Sequence, residues 1–193
     1  MRCFFFITAN SLLKFLFLIS VCTFISVRCL AQTPSDFPSS WQGRWYGEME
    51  IYASGVLQQK IPMQLHILPT DSSSTYTYRI IYGTDTLAGD RPYLIKKVNA
   101  HKGWYVVDEQ NSIKIESYLF GNILTSVYEV QGSFIFDILE KRGDTLYWRL
   151  FSGSNKEVST TGDTKQGEEL IPAVKSYPVK VLQAAELKLK TNQ

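Results

Sequence analysis

Between Trp41 and Phe151 apolar and polar residues alternate with a period of two, and short polar turns break the alternation again and again. A period of two is the signature of a strand with one face in a core and the other in water. Trp45, Gly47, Met49 and Ile51 alternate with Arg44, Tyr46, Glu48 and Glu50. Ile61, Met63, Leu65 and Ile67 alternate with Pro62, Gln64, His66 and Leu68, and Pro62, which has no N–H to donate, belongs near a strand start or on an edge. Further strands are expected over residues 75–82, 91–98, 103–108, 112–120, 123–130, 133–140 and 145–151. The turns between them are rich in Gly, Asn and Asp, such as Gly121-Asn122, Gln131-Gly132 and Arg142-Gly143-Asp144. Residues 41–151 therefore read as an all-β domain, an antiparallel up-and-down meander of about nine strands. It is expected to close as a barrel, with a β-sandwich as the alternative.

The flanking segments read differently. Residues 1–31 have the form of an export signal: Arg2, an apolar run from Leu12 to Val27, and Cys29-Leu30-Ala31 as a small-residue cleavage pattern. The expected location is periplasmic or extracellular, with an uncleaved N-terminal anchor or a lipid on Cys29 as alternatives. All three cysteines, Cys3, Cys22 and Cys29, fall in this segment, so the processed chain is expected to rely on packing alone. Residues 32–40, with Pro34 and Pro38, read as an extended lead-in, and residues 152–175 as a flexible polar loop. Residues 176–193 are ambiguous. Val179 and Val181 alternate as in a strand, whereas Leu182, Ala185 and Leu189 suit a helix, so an extended entry into a short C-terminal helix is expected.

Loss of Arg2, Lys14 and Arg28 with the signal leaves 17 of the 20 Lys and Arg against 18 Asp and Glu, a formal charge of −1. A near-neutral chain without a basic run offers no electrostatic attraction for nucleic acid or anionic lipid. A transmembrane barrel is not expected either: strands of that kind turn apolar residues outward over about 9–11 residues. Here the expected strands are mostly shorter, and Arg44, Glu48 and Glu50 would face outward.

Catalytic chemistry has few candidates. No cysteine nucleophile remains, and the two histidines, His66 on a polar strand face and His101 in a turn, read as solvated. No metal-ligand spacing, phosphate loop or nucleophile elbow is present, so no metal, cofactor or catalytic residue is assigned. Three carboxylate groupings stand out. Glu48 and Glu50 read as the wet face of a strand, and Asp108-Glu109 as turn residues. Asp137, inside Phe134-Ile135-Phe136-Asp137-Ile138-Leu139, has two readings. Burial would demand a cation partner or a raised pKa; the expectation here is the other, that it faces water beside Ile135 and Leu139.

The tripeptide Gly43-Arg44-Trp45, opening the first strand, resembles the start of the lipocalins and related calycin barrels. The family's Thr-Asp-Tyr element has no counterpart, since Gln131-Gly132-Ser133-Phe134 follows Val130. The resemblance implies an up-and-down barrel with an internal cavity, its bottom closed by Trp45 under an arginine of the last strand, here Arg149. On that reading Trp45, Tyr76, Tyr78, Trp104 and Trp148 line the cavity. The function expected is non-enzymatic binding of a small apolar or aromatic ligand. An interaction module using outward aromatics such as Tyr46 and Tyr52 is the alternative. A hydrolase built on Asp108, Glu109 or Asp137 is the third reading. Partner and oligomeric state are not legible.

Overall fold

The computed structural model describes residues 36–190, so the expected signal at residues 1–31, with Cys29, lies outside the described residues. The barrel is built from β1 (Gly43–Ala53), β2 (Val56–Ile67), β3 (Thr75–Tyr82), β4 (Asp90–Asn99), β5 (Trp104–Asp108), β6 (Lys114–Phe120), β7 (Ile123–Val130), β8 (Ser133–Arg142) and β9 (Thr145–Ser154). Each pairs antiparallel with the next, and a tenth barrel strand, Val181–Leu189, lies between β9 and β1 and closes the sheet. The fold is thus an all-β antiparallel meander closed as a barrel, and the sandwich alternative falls.

The closing strand corrects the expected C-terminal helix. Ala185 and Leu187 turn inward and are buried, whereas Glu186 and Lys188 turn outward. A helix would have spread these residues around its circumference. As a strand the segment satisfies its backbone on both sides, against β1 and β9, and removes the two open edges that nine strands would leave.

The polar excursion also differs from expectation. Four three-residue strands, β10 (Ser159–Thr161), β11 (Thr164–Gln166), β12 (Glu169–Ile171) and β13 (Val174–Ser176), form a two-tier arm in which β10 pairs with β13 and β11 with β12. The closing strand is β14 (Val181–Leu189).

Several strands are longer than expected: β1 has 11 residues and β2 has 12. The hairpin that extends them turns at Ser54-Gly55, both with positive φ (51° and 78°), the primed turn that suits strand twist. Gln131-Gly132 repeats the device at 48° and 78°. The start of β2 pairs with β1 alone, because pairing with β3 begins at Met63, so Pro62 sits on a local edge. Despite the lengths, the interior is an apolar core, and the outer faces mix Arg44, Glu48, Glu50, Arg79 and Lys188 with exposed Phe120, Val127, Phe134 and Phe136. A transmembrane barrel has instead a polar interior and a continuous outer apolar band. Among the described residues no helix is long and apolar enough to cross a membrane.

The core fills one end of the barrel. Trp45, Leu65, Ile67, Ile95, Tyr105, Leu139, Leu146 and Leu187 are all at most 1% exposed there. The segment preceding β1, with a short 3-10 turn at Ser39–Trp41, crosses this end as a plug. The Phe37 ring stands edge-on to Trp41 (4.8 Å) and Tyr105 (4.9 Å). The Tyr105 hydroxyl donates to the Phe37 carbonyl (3.2 Å) and Trp45 Nε1 donates to the Trp41 carbonyl (3.1 Å). Arg149 does not join this end: it lies on the outward face of β9 and is exposed, which corrects the expected Trp–Arg closure.

Candidate functional site

Toward the other end, where β3, β5, β7 and β9 finish and β4, β6 and β8 begin, the interior stops being filled. A cavity of about 110 Å³ remains there. Its walls carry the tyrosines Tyr78, Tyr82, Tyr93 and Tyr128, the indole of Trp148, and two carboxylates, Asp137 and Glu109. Ile80, Val107, Ile115, Leu150 and Ser126 complete the lining.

Strand parity places each of these groups. Tyr78 and Tyr82 are two turns of the pleat apart on the inward face of β3, and Tyr78 is the direct cross-strand partner of Tyr93 on β4. Asp137 on β8 faces inward between Ser126 on β7 and Leu150 on β9. This corrects the expectation that Asp137 faces water. As a residue it is half-buried, since the cavity lies against it, but its Oδ1 is sealed from solvent and has no hydrogen-bond partner. The neighbouring polar group does not help, because the Ser126 hydroxyl is engaged with that of Ser117 (2.7 Å).

Electrostatics follow from that burial. Loss of solvation raises the Asp137 carboxyl to about 7, against the opposing pull of the Trp148 indole N–H and the Ile138 amide. The tyrosines respond in the same sense. Burial, then the Asp137 charge, holds the Tyr78 and Tyr82 phenols above their ordinary value and pushes Tyr128 up to about 12. Tyr93 is raised by burial and next by Glu109. All four phenols stay neutral wherever Asp137 titrates.

Of the five residues expected to line a cavity, Tyr78 and Trp148 do so. Trp45 and Tyr76 are buried in the packed end instead, with Lys97 Nζ 5.3 Å from the Tyr76 ring. Trp104 lies outside the barrel, 37% exposed, its indole N–H bonded to Glu116. Inward Tyr105 and outward Trp104 are adjacent, so parity sends them to opposite faces. Tyr93 and Tyr128 went unnoticed in the sequence; each sits in a strand whose two faces are almost equally apolar.

The remaining candidates stay on the outside. Asp108 is paired with Lys96 (2.6 Å) and accepts the Gln110 amide (2.8 Å), and the lysine holds its carboxyl below the usual range. Glu50 bonds Lys60 and Tyr52, and Glu48 lies 3.5 Å from the same lysine, the wet strand face expected. His66 Nε2 is buried without a partner on the barrel wall, and burial followed by Arg44 and Arg79 lowers its pKa. His101 is exposed. Among the described residues no group of three or more His, Cys, Asp or Glu is placed to hold a metal.

A second concave feature lies on the outer surface, an apolar groove of about 350 Å³ between β8, β9 and the lead-in to β14. Phe134, Phe136, Phe151 and Tyr177 line it, with Phe134 edge-on to Tyr177 at 5.2 Å. Comparison with known proteins finds no matching family model, no similar curated protein and no similar solved structure.

Proposed function

We propose that this chain is an exported, non-enzymatic binding protein that holds one small molecule in the cavity between Tyr78, Tyr128 and Asp137. The observation that carries this reading is Asp137, an inward carboxylate with one oxygen unpaired, on the wall of unfilled space in an otherwise packed barrel. A buried carboxylate short of hydrogen bonds costs roughly 1–3 kcal/mol, and a ligand that pairs the carboxylate offsets part of that cost. The resemblance of Gly43-Arg44-Trp45 to lipocalins supports the same reading, since the tripeptide opens β1 at the plugged end, opposite the cavity. One feature stands apart from that family: lipocalins close with about eight strands, and this barrel closes with ten.

The geometry narrows the ligand. An engineered cavity of roughly 150 Å³ admits a benzene, and this one is smaller at about 110 Å³. A large apolar ligand does not fit, and the two carboxylates disfavour a purely apolar one. Volume also tells against glycoside hydrolysis by Glu109 and Asp137, because a hexose has roughly twice the non-hydrogen atoms of benzene. Native mass spectrometry of the protein, purified in the form its own cell makes, tests the reading. A stoichiometric added mass below that of a hexose, lost on denaturation, is expected. A bare mass together with no response to any small probe in the cavity rejects it.

The outer groove favours a second reading, an interaction module. Phe134, Phe136 and Tyr177 are 37–44% exposed and contiguous with Val127 and Val179. Apolar patches of this kind mark contact surfaces. The surface differs from the one expected around Tyr46 and Tyr52, which lie beside the Glu48–Glu50–Lys60 charges. Phe134→Ser with Phe136→Ser should abolish any self-association seen in sedimentation while leaving the cavity intact.

A further inference from the structure

The chemistry of the cavity lining identifies the class of ligand. Its two ionisable non-tyrosine side chains are both acidic, Asp137 and Glu109, and no Lys, Arg or His lines it. None of the ion pairs formed among the described residues includes Asp137. The walls are aromatic on three sides. Tyr78 and Tyr82 come from β3, Tyr128 from β7 and Trp148 from β9, with the Tyr82 and Trp148 rings 6.4 Å apart. Resting on the binding reading above, we propose that the cavity takes a small organic ammonium ion, with Asp137 as its counter-charge and the aromatic walls around its alkyl groups.

Four arguments converge on that class. An anion would meet two carboxylates and no cation. A neutral apolar molecule would leave the Asp137 carboxylate without a counter-charge, a costly arrangement for a buried group. A hard metal cation wants six or more oxygen ligands, or near-ideal octahedral geometry, and the cavity offers two carboxylates among rings. An organic ammonium ion gives up hydration on entry, but it pairs with the carboxylate and is attracted to tyrosine and tryptophan rings within about 6 Å, an attraction that grows when the cation is desolvated. The volume then limits it to a nitrogen bearing a handful of carbons.

Two isosteric probes separate charge from shape. tert-Butylammonium and tert-butanol have the same number of non-hydrogen atoms and nearly the same outline. Each is titrated by calorimetry and by the Trp148 indole N–H signal in NMR, at pH 8, into the protein in the form its own cell makes. Binding of the ammonium at least tenfold tighter than the alcohol is expected, with that preference lost in Asp137→Asn and weakened in Tyr128→Leu. Equal affinity for the two probes, or a preference unchanged in Asp137→Asn, overturns the ammonium assignment and leaves the cavity as a site for neutral ligands. Silence toward both probes overturns the assignment and the binding reading together. The comparison within the unmodified protein decides between these results even if a variant fails to fold.

Discussion

Asp137 on β8 is the direct cross-strand partner of Ser126 on β7, yet the Ser126 hydroxyl bonds sideways to Ser117 at 2.7 Å and leaves the Asp137 Oδ1 without a partner. Two serines satisfied by each other next to an unsatisfied carboxylate is a costly arrangement for a core. The proposed binding site would supply the carboxylate with a partner from outside.

That arrangement has a pH signature. The Asp137 carboxyl is raised from 3.8 to about 7, so the folded chain holds a proton that the unfolded chain releases. Stability from this group is therefore fully present below about pH 4, falls as pH rises toward 7, and stays lost above it. Tyr78, Tyr82, Tyr93 and Tyr128 face the carboxyl from β3, β4 and β7 and remain neutral in this window. Glu109 is the other acid on the lining. His66, lowered by burial, changes stability in the opposite sense near its own pKa, so the comparison of variant with parent is the informative quantity. Urea melts should show Asp137→Asn close to the parent at pH 4 and more stable at pH 8, by as much as about 4 kcal/mol. A difference that stays flat from pH 4 to pH 8 would show that Asp137 titrates as an ordinary exposed carboxyl.

Binding of an ammonium ion should carry the complementary signature. The cation pairs with the charged carboxylate, so affinity should climb tenfold per pH unit below about 7 and level off above it, with one proton released per ion bound at pH 6. Calorimetry in buffers of different ionisation enthalpy counts that proton. The same titration in Asp137→Asn should release none.

The barrel was largely legible because its turns are explicit. Gly121-Asn122, Gln131-Gly132 and Gly143 mark the hairpins, and the paired strands fall within a few residues of the expected ones. The closing strand was hidden because Leu182, Ala185 and Leu189 satisfy a helical period as well as Ala185, Leu187 and Leu189 satisfy a strand period; only the vacancy between β1 and β9 decides. The site was hidden for a related reason. In β8 the inward row is Ile135, Asp137 and Leu139 and the outward row is Phe134, Phe136 and Ile138. Since the outward row carries the aromatic groove, neither row is polar, and parity gives no hint of which face meets the core. Tyr128 is masked likewise, with outward Val127 68% exposed beside it.

Gly47 tests the seam that the closing strand makes. A Cβ at this position would lie 2.1 Å from the Glu186 carbonyl oxygen, backbone that cannot swing away without parting β1 from β14. Gly47→Ala should therefore destabilise by about 1–3 kcal/mol, as overpacking does, or by more if the seam opens. Hydrogen exchange should show the loss concentrated in the amides joining Gly43–Ala53 to Val181–Leu189. Uniform loss across the barrel would place the strain elsewhere.

The plug is tested by one hydroxyl. Tyr105→Phe keeps the ring against Phe37 but removes the bond to the Phe37 carbonyl, which is buried. The expected cost is about 1 kcal/mol in a denaturant melt. Because the plug and the cavity lie at opposite ends, affinity for small probes should not change.

The arm offers the reverse case, structure that the barrel does not need. Strands β10 to β13 pair only among themselves, and the residues of their ladders are exposed apart from Ile171. Replacing residues 158–175 by a short Gly-Ser link removes no barrel hydrogen bond. It keeps Tyr177 against Phe134 and Pro178 against Gly153, where a Cβ would lie 1.7 Å from the Pro178 carbonyl oxygen. Shortening the loop also lowers its closure entropy slightly. Barrel stability should stay within about 1 kcal/mol of the parent. The arm leaves the same end of the barrel as the cavity, between β9 and β14, so probe affinity is the sharper measurement. None of its residues lines the cavity, and affinity should be unchanged; a chain that melts normally but releases its probe faster would make the arm a cover for the site.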